Sequence, residues 1–145
     1  MKEVRIDTSC GGKAGSSVET YGSYSAEKAV DGDGSSTWYV KKYSRPFWWY
    51  YQFPQSKIIS RVEIDFFFSP NEVEIVAASE CQQGWNAATE TTETIFPKTI
   101  VSENRLNIPV TPQIVSCIGV VFYHEEKYTG ITEIRFYEGD NLQER

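Results

Sequence analysis

The chain has 145 residues, 40% hydrophobic and 23% charged, with a formal net charge of −6. That length suits one domain, 1–145, able to bury its own core, and no internal repeat or linker breaks it. The acidic balance excludes a nucleic-acid backbone as partner, which needs clustered Lys and Arg, and no apolar run of about 18 residues is present to span a membrane as a helix.

Taken in chain order, the opening Met1-Lys2-Glu3-Val4-Arg5-Ile6 lacks the apolar core of a secretory signal. An extracellular or cell-surface location is expected, with a cytoplasmic one as the alternative. Cys10, Cys81 and Cys117 fit no zinc spacing, and an odd number leaves at least one thiol unpaired. One helical turn is predicted at Ser25-Ala26-Glu27-Lys28-Ala29, with Ser25 as its N-cap. Next comes Asp31-Gly32-Asp33-Gly34, either a plain turn or a loop dense in oxygens for a hard cation. Aromatic residues make up 14% of the chain, and Trp48-Trp49-Tyr50-Tyr51-Gln52-Phe53 concentrates them; Trp49, Tyr51 and Phe53 share one face, and the whole run is expected in the core. Alternation returns at Val62, Ile64 and Phe66, again over Glu72 to Ala77, and at Leu106, Ile108 and Val110. Cys117 to Tyr123 is apolar at nearly every position, as in a strand covered on both faces. Ile134 and Phe136 alternate with Glu133 and Arg135. Turn signals at Asp31-Gly32, Ser69-Pro70-Asn71, Gln83-Gly84 and Thr129-Gly130 separate these runs, so the pattern predicts an all-β sandwich or jelly roll.

Catalytic signatures are missing. The single histidine, His124, stands after a predicted strand, and neither a nucleophile elbow nor a phosphate-cradling loop occurs. A non-catalytic chain is therefore expected.

Four blocks carry a resemblance: Ala29-Val30-Asp31-Gly32-Asp33 with Ser36 and Trp38; Trp48 to Phe53; Ile59-Ser60-Arg61-Val62-Glu63-Ile64; and Gly130-Ile131-Thr132-Glu133-Ile134-Arg135-Phe136-Tyr137. In this order and spacing they resemble the discoidin family, the coagulation-factor type C domains with their galactose-binding-like relatives, the fucolectins and carbohydrate-binding modules. The resemblance implies an antiparallel jelly-roll β-sandwich of about eight strands. It also implies a structural Ca²⁺ near the meeting chain ends, held by the Lys28 carbonyl, Asp31, Asp33, Ser36, the Thr132 carbonyl and Glu133. A ligand site would lie at one end of the sandwich, drawn from Tyr21, Tyr24, Lys41, Lys42, Tyr43, Arg45, Phe67, Phe68, Asn71, His124, Lys127 and Tyr128. Aromatic plates with Asn, Lys, Arg and His donors match the C–H face and hydroxyl fringe of a pyranose. The sequence departs from the family where Gln52-Phe53-Pro54 ends the aromatic strand and where the sugar-gripping arginines and adjacent cysteine pair of fucolectins are missing. Trp85 is either a second exposed plate or a lid on the core.

The expected function is a calcium-stabilised, lectin-like carbohydrate-binding module with a glycan partner. The alternative is an adhesion or scaffold domain that binds protein or a membrane surface through Phe67, Phe68, Lys41, Lys42 and Arg45. A third reading, an intracellular jelly-roll subunit, fits unpaired cysteines. Oligomeric state is left open.

Overall fold

The computed structural model describes residues 3–8, 11–18, 24–33, 35–41, 46–68, 70, 72–81, 92–123 and 128–139. Among them are eight strands: β1 (Val4–Arg5), β2 (Lys13–Ser16), β3 (Trp38–Val40), β4 (Phe47–Phe66), β5 (Glu72–Ala78), β6 (Glu93–Ile100), β7 (Arg105–Phe122) and β8 (Thr129–Glu138). All pair antiparallel, in the order β1-β8-β4-β7-β5-β6, with β2 added to β4 and β3 to β8.

Two strands are far longer than the alternation predicts. The aromatic run and the Val62–Phe66 run are one 20-residue strand, β4, and the Leu106 and Cys117 runs are one 18-residue strand, β7. The two stay paired throughout, and the register slips between Gln52 and Lys57, and again between Ile59 and Arg61. Pro54, which cannot donate to the ladder, sits exposed at the first slip, as proline in a sheet must. Here the ladder folds over on itself. The first layer holds β2, the start of β4, the end of β7, β5 and β6. The second holds the end of β4, the start of β7, and β8 with β1 and β3 along its free edge. This is the expected β-sandwich.

Period-2 alternation supplies the core between the layers. Phe47, Trp49, Tyr51, Val73, Ile75, Ile118, Val120 and Phe122 point in from one layer; Val62, Ile64, Phe66, Ile131, Ile134 and Phe136 point in from the other. Rings meet across the gap: Phe66 lies 6.3 Å from Phe122, and Tyr51 lies 5.9 Å from Phe136. The Trp48–Phe53 run is core on one face only. Trp48 and Tyr50 are half-buried on the outer surface of the first layer, beside a small cluster of Val76, Ala78, Cys117 and Val121. The expectation for those two residues is corrected, because a strand at the surface of a two-layer sandwich has only one inward face.

The turn at Ala26–Ala29 is a 3₁₀ helix, and Ser25 occupies its N-cap position. Its hydroxyl does not cap the backbone; it donates to Glu27 Oε1 at 2.9 Å. Cys117 is buried and Cys81 half-buried. Cys10 and Trp85 lie outside the described residues.

Candidate functional site

One end of the sandwich gathers aromatic side chains from four separate segments, and strand β3 explains how. Trp38 and Val40 are buried, so Tyr39 between them faces outward. Its backbone N–H donates to the Tyr24 carbonyl at 3.2 Å, which draws the segment before the 3₁₀ helix alongside. Opposite Tyr39 on β8 stands Gly130. The Phe67 N–H donates to the Gly130 carbonyl at 2.9 Å. A Cβ at position 130 would come within 2.7 Å of the Trp38 carbonyl oxygen and 3.0 Å of Phe67 Cβ, so only glycine admits Phe67 here.

The result is a platform around Tyr39. Ring centroids of Tyr24, Phe67 and Tyr128 each lie 5.4 Å from that of Tyr39, and Phe68 lies at 5.9 Å. Tyr24 and Phe67 meet Tyr39 edge-on, at 71° and 87°, whereas Tyr128 and Phe68 are tilted. Phe67 and Phe68 meet edge-on at 4.7 Å. Edge-to-face contacts of this kind fix rings relative to one another and leave faces open. Tyr24, Phe67 and Tyr128 remain 48%, 49% and 41% exposed, a cluster of exposed rings of the kind that marks interaction sites. Of the residues the sequence singles out for a ligand, the fold therefore brings together Tyr24, Phe67, Phe68 and Tyr128. Lys41 is exposed one residue beyond β3. Tyr21, Lys42, Tyr43, Arg45, Asn71, His124 and Lys127 lie outside the described residues. Tyr39, the centre of the platform, escaped the sequence reading. The sign was present: Trp38-Tyr39-Val40 alternates, and its outward residue is aromatic.

A second constellation sits where the chain ends meet. Strand β1 pairs with the end of β8, placing Arg5 opposite Tyr137. The register between β4 and β8 slips between Asp65 and Phe66, so that Ile131 and Ile134, three apart, both face the core. A slip of this sort re-aims the intervening side chains. Glu133, on the outer side, is only 4% exposed. It is not solvated, as an outward strand residue would be, because Arg5 and the Asp31-Gly32 loop cover it. Burial pushes its carboxyl up to about 7; Arg5 opposes this, Asp31 adds to it, and Arg135 and the Gly32 N–H again oppose it. Arg5 donates to Oε2 at a long 3.5 Å, and Oε1 is buried with no hydrogen-bond partner among the described residues. Gly32 takes φ +77°, which turns the loop. Asp31 Oδ1 accepts the Asp33 N–H at 3.0 Å, and Asp33 Oδ1 accepts both the Ser35 N–H and hydroxyl, at 2.9 and 2.7 Å, so the Asp33 carboxylate is directed within its own turn. Ser36 closes that turn onto the Asp33 carbonyl at 3.0 Å. Among the described residues no three His, Cys, Asp or Glu side chains cluster around one point. Of the predicted set, the fold brings the Asp31 carboxylate near enough to Glu133 to act on its charge.

No family model matches the sequence, and no curated protein matches it either. Solved structures do. A family 32 carbohydrate-binding module of Clostridium perfringens NanJ, solved in complex with galactose, superposes with a TM-score of 0.74 at 18% identity, covering 94% of this chain and all of that one. Chitosan-binding module 1 of a Paenibacillus sp. IK-5 chitosanase/glucanase gives 0.77 at 16% identity, covering 91% and 98%. Module 2 of the same enzyme, solved with chitotriose, gives 0.76 at 16% identity, covering 90% and 98%. These modules have the discoidin, galactose-binding-like sandwich, and this chain has the same fold.

Proposed function

We propose that this chain is a non-catalytic carbohydrate-binding module that holds its glycan on the Tyr39 platform. The observation that carries the reading is the convergence of Tyr24, Tyr39, Phe67, Phe68 and Tyr128 at one end of the sandwich. Exposed ring faces match the apolar C–H face of a pyranose, and the three tyrosine hydroxyls can exchange hydrogen bonds with its fringe. Structures of the same fold have been solved with galactose and with chitotriose, which supports a glycan as the class of ligand.

A structural Ca²⁺ at Glu133 and Asp31 belongs to the same proposal. The buried Oε1 of Glu133, which has no hydrogen-bond partner among the described residues, supports this reading, since a hard cation takes six to eight oxygen ligands. The ion would lock the Asp31-Gly32 loop to β8 and do no chemistry on the ligand.

A glycan array run with and without calcium tests this, with anionic vesicles as the contrast. We expect a subset of glycans to bind and vesicles not to. A silent array together with vesicle binding would overturn the proposal in favour of a membrane-surface module built on the exposed Phe67.

A further inference from the structure

The outer surface of the first layer carries a groove that the platform does not use. Trp48 pairs across the ladder with Val121, which pairs in turn with Glu74; next to this row, Val76 pairs with Thr94. Together with Tyr123 these residues line a groove of about 250 Å³. Val76 and Val121 are buried beneath it, while Trp48 and Tyr123 are half-buried beside it.

Glu74 is its charged group, and it is held in place. The Tyr123 hydroxyl donates to Oε1, and Thr94 donates to Oε2 at 2.8 Å. Burial, then Glu74, then Glu72 push the Tyr123 hydroxyl up to about 12, so it stays a donor at any physiological pH. A carboxylate can accept about four hydrogen bonds, so two directions remain. Glu74 forms no ion pair among the described residues. The neighbouring Lys98 directs its ammonium to Glu72, at 3.9 Å, and to the Tyr123 ring face, 4.1 Å from its centroid. That contact shows the Tyr123 ring accepting a cation.

An aromatic side, an apolar floor and an oriented carboxylate that forms no ion pair among the described residues together match a ring that has a C–H face and an ammonium substituent. A neutral hexose fits the first two and offers Glu74 only hydroxyl donors, whereas an ammonium gives it a charge-assisted bond. A groove of this volume, just under the roughly 300–1,000 Å³ of pockets for larger ligands, suits one sugar unit. We infer that this groove is a second glycan subsite, taking a single hexosamine unit with its ring against Trp48 and its protonated amine on Glu74.

The test is an amide-shift titration of the isotope-labelled full chain with glucosamine, N-acetylglucosamine and glucose, at about pH 6, where an amine is protonated. Glucosamine should move the signals of Trp48, Val76 and Thr94. The two uncharged sugars should bind there at least about tenfold more weakly, and Glu74→Gln, whose fold the same spectrum reports, should cost glucosamine about tenfold. Tyr39→Ala should leave this titration unchanged, which separates the groove from the platform: the groove can fail while the array result stands, and the reverse. The inference is overturned if glucosamine leaves the Trp48 and Thr94 signals unmoved, if glucose moves them equally, or if Glu74→Gln binds glucosamine as the wild type does.

Discussion

Tyr39 shows how one position sets the character of a surface. Its two neighbours are buried, so it must face out, and every ring of the platform is placed by contact with it. Tyr39→Ala and Phe67→Ala should each weaken glycan binding about tenfold, since a ring contact contributes about 1 kcal/mol beyond its buried area, and neither should change the melting temperature by more than a few degrees. Calorimetric titration and a thermal melt check both halves. Gly130→Ala should behave differently. The new Cβ would overlap the Trp38 carbonyl and displace Phe67, so it should lose roughly 1–3 kcal/mol of stability together with binding; retention of both would contradict the placement of Phe67. At this scale the sequence is informative where alternation is clean. Trp49, Tyr51, Val62 and Ile64 are legible as core. Trp48 and Tyr50 are not, because an unbroken aromatic run hides which face is which until the layers are known. Tyr24, Phe67, Phe68 and Tyr128 are legible only as scattered loop aromatics; their meeting depends on strand pairing among distant segments.

At the scale of elements, the bends matter most. Strands β4 and β7 pass together from one layer into the other, and local patterning shows each of them as two short strands because the alternation lapses at Pro54-Gln55-Ser56 in β4 and at Pro112-Gln113-Ile114 in β7. Strand β6 (Glu93–Ile100) has no clear two-residue period and is invisible in the sequence for that reason. On the outer face of the second layer, Arg135 joins neighbouring strands: its Nε donates to Glu63 Oε1 at 3.0 Å and its guanidinium to Asp65 Oδ2 at 2.8 Å. Burial works to raise both carboxyls, but the hydrogen bonds and charge of Arg135 outweigh it and hold both below the usual range. Depressed carboxyls contribute stability that is present above their unfolded-state range and lost as the pH falls through their folded values. Arg135→Met should therefore lower stability by roughly 2 kcal/mol at neutral pH, and the gap from wild type should close as the pH drops below about 4. Urea unfolding over a pH series measures this; a gap independent of pH would contradict it.

At the scale of the whole molecule, the chain ends and the loop between them form one unit. Strand β1 pairs with the end of β8, the Ile6 N–H donates to the Phe136 carbonyl at 2.8 Å, and Thr8 donates to the Val30 carbonyl at 2.8 Å. A calcium ion bridging Asp31 to Glu133 would tie that unit together. At about 100 times its dissociation constant it should stabilise by about 2.7 kcal/mol and raise the melting temperature by roughly 5–10 °C. Glu133→Gln should reduce that gain and Asp31→Asn should remove it; a melt of the calcium-free protein unchanged by added calcium would count against the ion. The central claim concerns the Tyr39 platform, and an amide-shift map recorded with the glycan that binds best on the array tests it most directly. The largest saturating shifts should fall on Tyr24, Tyr39, Phe67, Phe68 and Tyr128, with Asp31 and Glu133 unmoved. Saturable binding that leaves those five aromatic positions still would contradict the account.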